Sequence, residues 1–441
     1  MSGAKRRAVI IGAAGRDFHN FNTFFRDNPS YEVVCFTAEQ IPGIAGRKYP
    51  PVLAGAFYPL GIPIEEEKNL EKIIEQNNVD IAVLSYSDLP YSKVGNISAR
   101  VNAAGADFWL LGPNATQIKA EKPVVAVCAV RTGSGKSQTS RYISKLLNEA
   151  GRKCVAIRHP MPYGDLAKQA VQRFASYADL EKHECTIEEM EEYEPYIERG
   201  LVVYAGVDYR AILNEAQKEA DVILWDGGNN DYAFFVPDLL ITVADPHRPG
   251  HEISYYPGEV NVRMADVVII NKVDSAKPED IALVEENVRK ANPYAKIIKA
   301  VSKVTLEREN ELRNKRVLVI EDGPTLTHGD MNYGAGIVAA KKASAVVIDA
   351  RPYAVGSIKA TYQKYSHLDA ILPAMGYGQK QMDELRQTIE NASKDIDAII
   401  IGTPIDLAGH IRINKPCHRV TYEYVDANAE LKKILQEKRI L

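Results

Sequence analysis

Cysteine is scarce in this sequence and never paired. Five residues in 441 (Cys35, Cys128, Cys154, Cys185 and Cys417) make an odd total with no C-x-x-C motif. That pattern excludes a disulfide framework or a paired-thiol zinc site, and leads us to expect reduced thiols in a cytoplasmic protein. No apolar run approaches the ~18 residues of a membrane helix. The run after the charged N-terminus, "AVII", reads as a first strand rather than a signal peptide. A formal net charge of -4 with no long basic stretch gives no general attraction to nucleic acid or anionic membrane, so any anion recognition has to be local. Internal repeats and low-complexity tails are absent too.

What remains is an ordinary globular composition, 46% apolar and 25% charged. Short Val- and Ile-rich runs alternate with helical patterns along the whole length, the signature of parallel α/β sheets. The expected fold is multidomain α/β. A Rossmann-like N-terminal domain over 1–121 opens with "RRAVIIGAAGRDFHNFNTFF". A P-loop nucleotide-binding domain over 122–342 follows, then an α/β region over 343–441 that is either a lobe of its own or a continuation of the central sheet. A glutamate-rich insertion, "DLEKHECTIEEMEEYEPYIE", reads as a solvated helical hairpin, with a metal-binding cluster as the alternative.

The chemistry concentrates in "VRTGSGKS", Val130 to Ser137, between an apolar strand and a helix. Successive backbone amides of Thr132, Gly133, Ser134, Gly135, Lys136 and Ser137, with Gln138 behind them, are expected to wrap phosphate oxygens at a helix N-terminus. Lys136 would reach the β and γ phosphates, and the Ser137 hydroxyl would hold Mg²⁺. The first glycine of G-x-x-x-x-G-K-[ST] is replaced by Val130, a position that only shapes the turn. Arg131 stands where dimeric P-loop proteins with a K-G-G-x-G-K-[ST] loop carry a lysine that often reaches a phosphate across a subunit interface. The expectation is therefore a homodimer. "VILWDGG" ends a strand in Asp226, the second carboxylate for the metal, ahead of Gly227, Gly228, Asn229, Asn230 and Asp231. "NKVD" supplies Asn271, Lys272 and Asp274, the base-reading pattern of GTPases.

A second cluster predicts a polyanionic small-molecule substrate. Arg158, His159 and Asp165 follow one strand, and Asp245, His247, Arg248, His251 and Tyr256 follow another. His328, and Arg16 and His19 from the first turn of the chain, complete the set. Loops at the carboxyl ends of parallel strands line the crevice where α/β ligands bind. Lys136, Arg131, Asp226, Arg248 and His251 are the expected catalytic groups, with Arg158, His159, Asp165, His247, Arg248, Arg16 and His19 on the substrate.

The motifs "GAAGRDFHNFN", "AVRTGSGKSQTSR", "RHPMPYGDL", "LWDGGNND", "DPHRPGHE", "INKVD" and "EDGPTLTHG" together resemble the cyclic 2,3-diphosphoglycerate synthetase family, from the first strand to about Gly336. The resemblance implies an ATP-dependent ligase that closes 2,3-diphosphoglycerate into a cyclic anhydride, releasing ADP and phosphate. "NKVD" favours guanine, so GTP stays open beside ATP. A regulatory or metallochaperone-type GTPase, or a related ligase or kinase acting on another polyanion, are the alternatives.

Overall fold

The computed structural model describes residues 4–39, 44–159, 164–228, 231–327, 331–374, 379–405 and 407–441. Its first sheet is built from β1 (Arg6–Ile11), β2 (Tyr31–Ala38), β3 (Lys48–Tyr49), β4 (Ile62–Glu66), β5 (Ile81–Leu84) and, after a two-residue strand β6 (Leu89–Pro90), β7 (Asp107–Trp109). The order is β3-β4-β2-β1-β5-β7. All pairs are parallel except β3 with β4. The chain moves outward from β1 in one direction and returns to its other side through β5, so the crevice between the loops after β1 and β5 is a topological switch point.

The second sheet begins with β8 (Val124–Ala129), β9 (Cys154–Ile157), β10 (Gln172–Phe174), β11 (Val202–Ala205), β12 (Val222–Trp225) and β13 (Leu239–Ala244). After a short ribbon strand, β14 (Tyr255–Tyr256), it resumes with β15 (Val267–Ile270) and β16 (Lys296–Leu306). Every residue of β8, β12, β13 and β15 is buried, because helices cover both faces of a parallel sheet. That is why these strands read as unbroken apolar runs.

The C-terminal strands continue this sheet. They are β17 (Arg316–Asp322), β18 (Val346–Val347), β19 (Leu372–Ala374), β20 (Ala398–Ile401) and β21 (Cys417–Asp426). The order runs β10-β11-β9-β12-β8-β13-β15-β16-β21-β20-β17-β18, with β19 beside β17. The junction is antiparallel, from Ala300 opposite Asp426 to Leu306 opposite Val420. Leu431, Ile434 and Leu435 of the last helix share one core with Ile143 and Leu147 of the phosphate-loop helix.

The two sheets are linked through segments that follow β5 and β13. Leu89 and Pro90 pair with Tyr256 and Tyr255 in an antiparallel ribbon between them. No helix among the described residues is long and apolar enough to cross a membrane.

Candidate functional site

The phosphate loop leaves β8 at Ala129 and enters the helix Lys136–Glu149. Gly133 and Gly135 take positive φ, +79° and +113°. A Cβ on Gly135 would lie 2.0 Å from Nδ2 of Asn271, so glycine is obligatory there. The loop is buttressed from below. Asn271 Nδ2 donates to the Ser134 carbonyl at 2.9 Å, and Lys272 Nζ to the Gly133 carbonyl at 2.7 Å and to Asp245 Oδ2 at 2.8 Å. Asn271 and Lys272 thus fix the carbonyls so that the amides face the other way. Asp274 is exposed on the turn beyond. Gln138 is buried behind the loop, where it accepts from Ser302 Oγ at 3.1 Å.

Charge gathers where the loop meets the helix. Lys136 Nζ lies 2.6 Å from Oδ1 of Asp226, while Oδ2 of the same carboxylate receives the Tyr196 hydroxyl at 2.6 Å and the Arg158 guanidinium. Arg158 also pairs with Glu192. Asp226 is fully buried. Burial pushes its carboxyl up, but Arg158 and Lys136 outweigh that and hold it well below the usual carboxylate range. Burial lowers the Lys136 ammonium to about 8, against the opposing pull of Asp226. One hydroxyl (Ser137, half-buried at the helix start) and one carboxylate (Asp226) suit Mg²⁺, which takes one or two protein ligands and completes its shell with phosphate oxygens and water.

Arg248 is not part of an open cradle. Its Nη2 donates to the Thr132 carbonyl at 2.8 Å and pairs with Asp245 Oδ2 at 3.0 Å, so it grips the phosphate loop from its flank. Burial opposes ionisation of Asp245, yet Lys272 and Arg248 draw its carboxyl down to about 2. Arg131 makes its contacts within its own chain. Its Nε sits 2.5 Å from Asp88 Oδ1, its Nη1 donates to His251 Nδ1 at 2.7 Å, and its guanidinium lies 3.8 Å over the Tyr255 ring. Asp88, at a left-handed φ of +57° on the loop after β5, takes Thr132 Oγ1 at 2.9 Å as well. A carboxylate of the first sheet therefore clamps the nucleotide loop of the second. His247 stands at the rim with Nε2 2.9 Å from Ser275 Oγ.

From the first sheet, Arg16 is buried against this junction, with Nη2 donating to the hydroxyls of Tyr256 at 2.6 Å and Tyr232 at 2.8 Å. His159 Nε2 lies 2.9 Å from Asp231 Oδ2. His19, expected on the substrate, is packed into the structure instead. It stacks 4.0 Å from Phe234, meets the Thr116 carbonyl at 2.8 Å, and burial drops it to about 3, leaving a neutral ring. Asp165 is exposed and caps its own turn through Ala167 N at 2.9 Å. His328, Asn229 and Asn230 lie outside the described residues.

The glutamate-rich insertion is not a solvated hairpin. Its second helix, Ile187–Ile197, buries Glu189, Glu191, Tyr193, Glu194 and Tyr196. Glu192 and Tyr196, four apart on one face, reach Arg158 and Asp226. Glu191 accepts from Thr403 Oγ1 at 2.7 Å, and Glu198 pairs with Arg419 at 3.2 Å, tying the helix to the C-terminal strands. These are the site residues that sequence reasoning missed. No group of three or more His, Cys, Asp or Glu side chains among the described residues is arranged to hold a metal ion.

No family model matches the chain. It is 62% identical over 435 residues to the arginine synthetase ArcE of Thermococcus kodakarensis, a match covering 98% of this chain and 97% of that protein. To the cyclic 2,3-diphosphoglycerate synthetase of Pyrococcus furiosus it is 20% identical over 258 residues, or 52% of this chain and 58% of that one. The resemblance seen in the motifs is therefore a distant kinship over about half the chain. Among solved structures, LpxK of Aquifex aeolicus in complex with ATP matches with a TM-score of 0.43 and 13% identity, over 79% of this chain and 96% of that one.

Proposed function

The chain belongs to the family of the arginine synthetase ArcE, and from that membership we propose that it is an arginine-forming, ATP-dependent ligase. That it is an ATP-dependent ligase follows from its relatives; the product is our reading, carried by identity along nearly the whole chain.

The chemistry suits the groups around the phosphate loop. A ligase that makes a guanidinium from a ureido α-amino acid has to replace one oxygen by nitrogen. The ureido oxygen attacks the γ-phosphorus, the bond from that phosphorus to the bridging oxygen breaks, and ADP leaves. Ammonia then adds to the activated carbon, loses protons, and expels the oxygen with its bonding pair as inorganic phosphate. The first step needs positioning and screening of negative charge rather than covalent help from the protein. Lys136 and the amides from Thr132 to Ser137 would supply that, with Arg158 beside them on the shared Asp226 carboxylate. Mg²⁺ held by Ser137 and Asp226 would neutralise the β and γ oxygens. Holding activated acceptor and nucleophile together makes displacement of phosphate effectively intramolecular.

Cyclisation of 2,3-diphosphoglycerate, the second reading, shares the first step and differs in nucleophile, a neighbouring phosphate replacing ammonia. The half-length kinship favours it. The deciding experiment supplies MgATP with L-citrulline and ammonium in one reaction and with 2,3-diphosphoglycerate in another, following ADP and identifying the product by mass. Arginine appearing in step with ADP supports the first reading. ADP release dependent on 2,3-diphosphoglycerate alone overturns it. Substituting GTP in the productive reaction shows whether Asp274 selects the base.

A further inference from the structure

The proposed reaction leaves one group of buried charges without a task. Arg16, Asp17, Asn20 and Ser85 lie at the switch point of the first sheet, and His159 and Asp231 face them from the loops of the second. All six are nearly inaccessible. Only one edge of the Arg16 guanidinium is used. Nη2 meets two tyrosine hydroxyls and the Leu111 carbonyl, whereas Nε and Nη1 find no hydrogen-bond partner among the described residues, and a carboxylate oxygen of Asp231 is 4.0 Å from Nη1. Asn20 donates through Nδ2 to Ser85 Oγ at 2.8 Å, but its Oδ1 has no partner among them either. Leaving donors of a buried cation unmet is costly, and a bound anionic group is one way to meet them.

We propose that this cluster is the binding site for the α-amino-acid head group of the acceptor, its carboxylate on the free edge of Arg16 and its ammonium against Asp17, Asp231 and the Asn20 carbonyl oxygen. The inference rests on the arginine-forming reading.

Charge balance separates this occupant from a polyanion. Two buried acids stand beside one arginine and one histidine. Burial raises Asp17 to about 7, so an added polyanion would push it towards its neutral form and meet repulsion from Asp231, whereas the ammonium of a zwitterion favours both carboxylates. Geometry supports the same assignment. The cluster borders the phosphate-loop site through described neighbours: a Cβ on Gly228 would lie 3.0 Å from His159 Cβ, and Arg158, next to His159, pairs with Asp226, the partner of Lys136. His159 packs so tightly on the first-sheet turn that a Cβ on Gly15 would come within 2.1 Å of its Nδ1. All six side chains of the cluster are buried in this structure.

The test uses the full-length protein and needs no mutation in its first arm. Acceptor kinetics are measured with L-citrulline, with its α-carboxamide, with its des-amino analogue and with butylurea. Removing either charge from the head group should lower kcat/KM about 100-fold, the scale of a lost charge-assisted hydrogen bond. In the second arm, Arg16→Met should raise KM for L-citrulline by a similar factor, leave KM for ATP within about twofold, and erase discrimination against the carboxamide. Arg16→Lys should recover part of the loss. Asn20→Ala, which disturbs less buried charge, gives the same direction if Arg16→Met fails to fold. Equal use of butylurea and L-citrulline, or parallel changes in both KM values, would overturn the assignment while arginine formation stands. Failure of the native protein to convert any ureido acid would overturn the functional reading and this inference together.

Discussion

Lys136 and Asp226 neutralise each other across 2.6 Å, the cation from the phosphate loop and the anion from the end of β12. Arg158 and Tyr196 hold the other carboxylate oxygen. A phosphate competing for Lys136 would leave Oδ1 free to serve as a Mg²⁺ ligand, with Oδ2 still held by Arg158 and Tyr196. The contacts made by these groups set the predictions below.

Lys136→Ala removes the cation that screens the transferring phosphoryl group. We expect kcat to fall by roughly 10²–10³, the scale of losing one preorganised donor. The melting temperature should stay close to the native value, because Asp226 keeps Arg158. ADP release and a thermal melt check both halves.

Burial lowers Lys136 to about 8. In the free protein it loses its proton as pH rises through that value, so kcat/KM for ATP should decline above about pH 8. Bound phosphates favour the charged form, hence kcat itself should hold to higher pH. Full pH profiles of both parameters test this, and a kcat limb at or below the kcat/KM limb contradicts it.

Tyr196→Phe deletes a hydrogen bond to an ionised group, a loss of about 1.5–3 kcal/mol. Asp226 is then freer to rotate. The expected result is a lower kcat together with a higher Mg²⁺ requirement, read from activity against magnesium concentration at fixed ATP.

Arg248→Ala should disturb the nucleotide rather than the acceptor, since Arg248 grips the Thr132 carbonyl. We expect KM for ATP to rise by about tenfold, the worth of a charge-assisted contact of ~1.4 kcal/mol, with KM for the acceptor little changed. A rise confined to the acceptor would return Arg248 to a substrate cradle.

The phosphate loop was legible in the sequence because a fully buried parallel strand, a glycine turn and a helix start leave distinct local marks. Asn271 and Lys272 were found for the right location, but their contacts, to loop carbonyls, depend on tertiary approach that no local pattern reveals. The same limit applied to Arg248 and Arg131. Position after a strand shows which crevice a side chain borders, not which neighbour it meets.

The insertion was misread for a different reason. Its glutamates suggested water, yet Glu189, Glu191 and Glu194 are buried. Two signals were present, the Thr186–Glu189 capping box and the aromatic pair Tyr193 and Tyr196, three apart on one face. The joining of β16 to β21 spans more than a hundred residues of sequence, and only the alternation in "HRVTYEYVD" hinted that the late segment was a strand.

That joining has a mechanical consequence. Cut after residue 342, the chain would keep its nucleotide loop but lose β21, baring the far half of β16 from Ala300 to Leu306 as a row of unmated amides and carbonyls. Such a raw border invites self-association. The tail is therefore not a detachable accessory but the hem that finishes the sheet on which phosphate is handled.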